Sequence, residues 1–154
     1  MFKSGTIYSN FTALVKSPVI GYRISGDDVL NILKKITKKN FSKDHSLVRI
    51  VKLYQKDGSI LDECSVVFFK SPKSFTGEDV CEIFLHGSPL IASQFEQLLK
   101  ELKIPGLRLA KNGEFSYRSV LNNKNSLKQA KAINEIISNE SFSALEYNKK
   151  LPFE

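Results

Sequence analysis

From Thr6 to Ile24 the chain is apolar and rich in β-branched residues, with a break at Lys16, Ser17 and Pro18 that predicts two strands joined by a loop. The second strand ends at Ser25-Gly26. Asp27 and Asp28 suit a helix N-terminus, and Val29, Leu30, Leu33 and Ile36 then recur at helical spacing, with Lys34, Lys35, Lys38 and Lys39 on the other face and in the last turn. Leu47 to Tyr54 and Ile60 to Phe69 are rich in β-formers and flank Lys56-Asp57-Gly58-Ser59, whose Asp-Gly marks a hairpin. The second of these strands reads as buried on both faces. After a loop from Lys70 to Gly77, Val80 to Leu85 predicts another strand. Ser88-Pro89 then begins a helix with a stripe of Ile91, Phe95, Leu98, Leu99 and Leu102, stopped by Pro105-Gly106. A short strand from Leu107 to Ala110 and a turn-rich loop come next. Ser126-Leu127-Lys128-Gln129 has the form of a capping box ahead of a helix carrying Leu127, Ala130, Ile133 and Ile137. Strands interspersed with helices, including a hairpin, predict an α+β fold with a mixed sheet.

The 154 residues, 42% of them hydrophobic, suffice for one compact domain with its own core. Ser138 to Glu154 reads as a helical extension that a longer protein would pack against something else. No apolar run is long enough for a membrane span, and Met1-Phe2-Lys3-Ser4 does not begin a secretory signal, so a cytosolic or organellar protein is expected. Cys64 and Cys81, the only cysteines, lie in apolar stretches outside any Cys-x-x-Cys pair and read as buried thiols. The formal net charge of +7 suits a polyanionic partner such as tRNA, and equally a soluble Lys-rich surface.

The residues exclude some chemistries. No Gly is followed by Lys, so a Walker-type phosphate loop is absent and the chain is not expected to hydrolyse GTP. His45 sits in a polar stretch and His86 at a strand end, with no serine in a nucleophile-elbow context, and Cys81 with His86 would supply only two metal ligands. Three places spend polar residues beyond the needs of a scaffold. Arg23 follows Val19, Ile20, Gly21 and Tyr22, so its guanidinium must reach a carboxylate, a ligand or the sheet edge. Glu82 sits between Cys81 and Ile83 in an apolar strand, where it needs a partner or a ligand; before it, Ser74 to Asp79 offers an acidic, glycine-containing turn. Gly113, Glu114, Phe115, Arg118, Asn122 and Lys124 form the third group, either a functional loop or one stapled by Glu114 and Arg118.

These same segments resemble the MnmE (TrmE) family. Arg23-Ile24-Ser25-Gly26 looks like its R-I-S-G, Ser74 to Val80 reads S-F-T-G-E-D-V, and Glu82 to Gly87 matches E-x-x-x-H-G. Gly113 to Arg118 resembles G-E-F-S/T-x-R, Leu121 to Lys124 resembles L-N-x-K, and Gln129-Ala130 opens a helix. Together the motifs cover roughly residues 5 to 140 in the expected order. The resemblance implies a folate-binding and dimerisation domain over 1–122, with the start of a helical domain over 123–154. Its fold would be similar to the folate domain of the glycine-cleavage aminomethyltransferase. Complete members are GTPases that modify the wobble uridine of tRNA with a flavoprotein partner of the MnmG (GidA) type. By motif, the family's contacts to 5-formyltetrahydrofolate or another reduced folate fall on Arg23, Glu82 and Lys124, with Glu78, His86, Glu114, Arg118 and Asn122 as supporting candidates. A homodimer, noncatalytic by itself, is implied.

Some positions depart from the family pattern. Val15-Lys16-Ser17-Pro18 replaces a glycine-rich G-R-G-G loop, and Ser88 stands where a second glycine usually follows the histidine. The GTPase domain and C-terminal cysteine motif of complete members are not in these 154 residues, which leaves an excised fragment or a free-standing relative. Two other functions stay open at this level: a structural dimeriser without folate, and a basic tRNA-binding module using Lys34, Lys35, Lys38 and Lys39.

Overall fold

The computed structural model describes residues 5–131. Six strands form one mixed sheet: β1 (Ile7–Asn10), β2 (Val19–Ser25), β3 (Val48–Tyr54), β4 (Ile60–Phe69), β5 (Val80–His86) and β6 (Arg108–Leu109). Their spatial order is β3-β4-β5-β2-β1-β6, antiparallel throughout except for the parallel pair of β1 and β6. The α+β expectation is met. The helices α1 (Val29–Thr37) and α2 (Pro89–Glu101) lie on one face of the sheet.

Alternation along the strands builds the core beneath these helices. Ile20, Tyr22 and Ile24 of β2, Val51 and Leu53 of β3, Cys64, Val66 and Phe68 of β4, and Cys81, Ile83 and Leu85 of β5 all point into it. They meet Val29, Ile32, Leu33 and Ile36 from α1 and Ala92, Phe95, Leu98 and Leu99 from α2. Burying each large side chain contributes about 1.5–3 kcal/mol, so this layer dominates the fold's stability. Tyr22 packs edge-on against Phe95 at 5.0 Å and donates its hydroxyl to Glu96 at 2.8 Å; burial, aided by that bond, raises its pKa. α1 ends at Lys38, which adopts the left-handed conformation while its N–H closes on the Lys34 carbonyl.

Several expectations need refinement. β4 is enclosed on both faces only around Val66–Phe68, while Glu63 is exposed. The segment read as a turn-rich loop contains a helix, α3 (Glu114–Leu121). Its buried positions are Glu114, Arg118 and Ser119, so the apolar stripe by which a sequence announces a helix is missing. Asp28 sits at the N-cap of α1 but makes no capping bond there; one of its oxygens accepts from the Thr6 hydroxyl instead. The capping box at Ser126 does form: the Ser126 N–H donates to the Gln129 side-chain oxygen and the Gln129 N–H to the Ser126 hydroxyl. Ile133, Ile137 and the extension from Ser138 lie outside the described residues, as does most of the proposed 123–154 unit.

Candidate functional site

The second face of the sheet carries the polar residues. Arg23 on β2 and Glu82 on β5 stand opposite each other in register. The Arg23 Nε and Nη2 donate to a single oxygen, Oε1 of Glu82, at 3.0 and 2.7 Å. Both side chains are about four-fifths shielded, 24% and 20% exposed, so each supplies the counter-charge the other requires at a half-buried position. Among the described residues, Oε2 of Glu82 accepts no hydrogen bond.

Three phenylalanines close around the guanidinium. Its carbon lies 4.9 Å from the centroid of Phe75, 5.6 Å from Phe11 and 5.7 Å from Phe115. Each ring comes from a different segment: Phe11 follows β1, Phe75 belongs to the turn before β5, and Phe115 lies in the first turn of α3. Such contacts are worth roughly 0.5–2 kcal/mol apiece and leave flat apolar surfaces beside a charged centre. Gly21 makes room for one of them, because a Cβ there would lie 2.3 Å from the Phe11 ring. A cleft of about 180 Å³ opens here, with Ser9, Phe11, Arg23, Lys111, Gly113 and Phe115 among its walls.

A buried ionic network fixes the parts. Glu114, fully buried, accepts from Arg108 at 2.8 and 2.6 Å, from the Lys111 N–H at 2.9 Å and from Arg118 at 3.1 Å. Burial alone would raise its pKa, but these donors outweigh it and hold the carboxyl at about 2. Arg118 also reaches both oxygens of Glu78 at 3.1 Å, and Glu78 accepts from the Ser25 hydroxyl at 2.6 Å. α3 is thus bound to the 74–79 turn, and that turn to β2. Asn122 adds a bond from Nδ2 to the Thr76 carbonyl at 2.8 Å.

The expected site residues therefore divide by position. Arg23 and Glu82 form one pair. Lys124 is exposed, and its aliphatic stem lies against Gly77, two residues from Phe75; a Cβ at Gly77 would come within 3.0 Å of the Lys124 Cγ. Glu78, Glu114, Arg118 and Asn122 brace the turn and α3. His86 stands apart at the far end of β5, on the same face as Glu82. Its Nδ1 lies 2.7 Å from Oδ1 of the buried Asp62, whose other oxygen accepts the His86 N–H at 2.9 Å. Cys81 points into the core, away from His86, and burial raises the pKa of both thiols, that of Cys64 to about 12.

Sequence reasoning missed Phe11, Asp62 and Arg108. Gly21, a small residue inside an otherwise bulky strand, was a signal for a close approach on that face. Nothing local marks Arg108 as the partner of Glu114, because the pair closes only when β6 joins the sheet edge.

The family model described as the N-terminus of the GTP-binding protein TrmE matches residues 6–124, which contain every element from β1 to α3. A tRNA modification GTPase MnmE of Helicobacter pylori (strain HPAG1) is 44% identical over 141 residues, covering 91% of this chain and 29% of the relative. The MnmE proteins of Rickettsia canadensis (strain McKiel), 40% identical over 136 residues, and Aliarcobacter butzleri (strain RM4018), 41% identical over 145, are matched over 88% and 94% of this chain. The chain spans about three-tenths of the length of these relatives, 29% to 32%. Matched across its whole sheet by that family model and over about nine-tenths of its length by these relatives, the chain belongs to the TrmE N-terminal domain family.

Proposed function

We propose that this domain holds a reduced folate, 5-formyltetrahydrofolate or a close derivative, at a homodimer interface. It thereby serves one-carbon chemistry on the wobble uridine of tRNA, in a larger assembly with a GTPase and a flavoprotein of the MnmG (GidA) type. The observation that carries the reading is the Arg23–Glu82 pair ringed by three phenylalanines. A pterin is flat and presents adjacent N–H donors on its pyrimidine edge. Phenyl faces suit its plane, the unshared oxygen of Glu82 suits its donors, and guanidinium and ammonium groups at Arg23 and Lys124 suit the carbonyl and carboxylate oxygens further along a folate. Binding of this kind needs no nucleophile. The names of the relatives, tRNA modification GTPases, support the tRNA setting.

The dimer is supported by the β3–β4 end of the second face. Val48 and Ile50 there are 68% and 74% exposed, and a groove of about 290 Å³ runs past Ile50, Ser65, Phe84 and His86.

Titration calorimetry with 5-formyltetrahydrofolate tests the folate reading. The parent chain is expected to bind, and Glu82→Gln to weaken binding by about tenfold or more, as loss of a charge-assisted hydrogen bond requires. Because Glu82→Gln also frees Arg23, light scattering of the variant checks that the assembly is unchanged. Absence of heat from an intact parent dimer would reject folate binding and leave a structural dimeriser.

A further inference from the structure

Formal charge is segregated along this chain. Of its 23 Lys and Arg and 16 Asp and Glu, eight cations and a single acid fall within residues 34–56, so the remaining fifteen of each sign cancel and the whole +7 resides in that stretch. Folding keeps part of it together around Tyr54, while Lys52 falls on the face of the sheet opposite the helices. Lys34, Lys35, Lys38, Lys39, Lys43, Lys52 and Lys56 are all exposed, and the one acid, Asp44, is taken by Arg49. The Lys38 ammonium sits 3.9 Å from the ring centroid of Tyr54, while Lys35 and Lys56 border a shallow cleft beside the same ring. Glu101 of α2 is the acid facing that cleft, and Asp57 follows Lys56 in the β3–β4 turn.

We propose that the exposed side of α1 and the end of β3 is a docking surface for the phosphate backbone of RNA. Its cations are lysines, compact point charges that meet phosphates without a required geometry. Planar recognition of protein carboxylates draws instead on arginine forks, and the single arginine here is committed to Asp44 and the Asn40 carbonyl. Packing of Lys38 on Tyr54 holds one ammonium in place beside two others. This surface is built from different elements than the Arg23 site, so it rests on the tRNA half of the reading above and is independent of the folate half.

Fluorescence anisotropy of labelled tRNA with the full chain, between about 50 and 200 mM salt, tests it. One variant combines Lys34→Gln, Lys35→Gln, Lys38→Gln and Lys56→Gln. A control makes the same charge change elsewhere, with Lys16→Gln, Lys73→Gln, Lys103→Gln and Lys128→Gln; circular dichroism confirms that both fold. The first set is expected to lose roughly tenfold or more in affinity and to lower the salt slope by about 3, at 0.7–0.9 per lost phosphate contact, while the control moves far less. Equal losses in the two sets, unchanged binding by the first, or competition by polyglutamate as strong as by RNA would each overturn the proposal. A parent chain that ignores tRNA at low salt would overturn it together with the tRNA half of the broader reading, whereas binding indifferent to these four lysines removes only this surface.

Discussion

Cys64 and Cys81 lie on neighbouring strands of the sheet with their sulfurs turned into the helix-covered core. Burial raises the pKa of both, with the charges of Asp62 and Glu82 pushing the same way, so almost no thiolate exists near neutrality. Neither thiol should react with Ellman's reagent at pH 8 in the native protein, and both should react in guanidinium; rapid native labelling of one would place it outside the core. The same reasoning explains why Arg23 and Glu82 could be singled out from the sequence. An ionisable residue inside an apolar strand carries a desolvation cost that demands a partner, and each proved to be the other's. Phe11 gave no such warning, since an apolar residue near a strand is what any core requires.

At the scale of elements, α3 shows where pattern reading stops. A helix whose inward positions are Glu114, Arg118 and Ser119 has no apolar period to detect, although Glu114 and Arg118 are spaced i, i+4 like any helical ion pair. Its attachment is ionic, and so is its vulnerability. The carboxyl of Glu114 ionises at about 2 in the folded state against an ordinary value of 4.5. A lowered folded value means that the stabilisation is fully present above about 4.5 and is lost as pH falls from there toward 2. Glu114→Gln should destabilise the domain at pH 7 by roughly 1.5–3 kcal/mol, because the buried carboxylate that Arg108 and Arg118 share is lost and Arg118 keeps Glu78 alone. It should also flatten the acid limb of a stability curve measured by urea unfolding. An unchanged acid limb would mean that another carboxyl governs it. By contrast α1 and α2, with continuous apolar stripes and ordinary ends, were legible to within a residue or two.

Across the whole molecule the sheet is covered unequally. Two helices blanket one face, whereas α3 and the 74–79 turn shield the other only near β1 and β2. The alternation that fills the core was plain in the sequence, yet the bare end was not, because Val48 and Ile50 look like any other strand residues until the topology puts β3 at the sheet edge. If that end is the contact between two copies, Ile50→Lys should halve the mass seen by light scattering to the 17.4 kDa of a single chain, with the melting temperature little changed. A parent already at one chain's mass, or an Ile50→Lys protein still at two, would put the contact elsewhere.

The join between the first loop and the histidine-glycine turn has a further meaning. The Ser17 N–H donates to the Gly87 carbonyl and the Gly87 N–H to that of Pro18, at 3.0 and 3.3 Å, and a Cβ on residue 87 would lie 1.6 Å from the Ser17 oxygen. The grip is made by main-chain atoms alone, with the demand for smallness falling on one partner. Such a joint tolerates change on its other side: the side chains from Val15 to Pro18 can vary while the Ser17 N–H and the Pro18 carbonyl keep the two middle strands zipped to their ends.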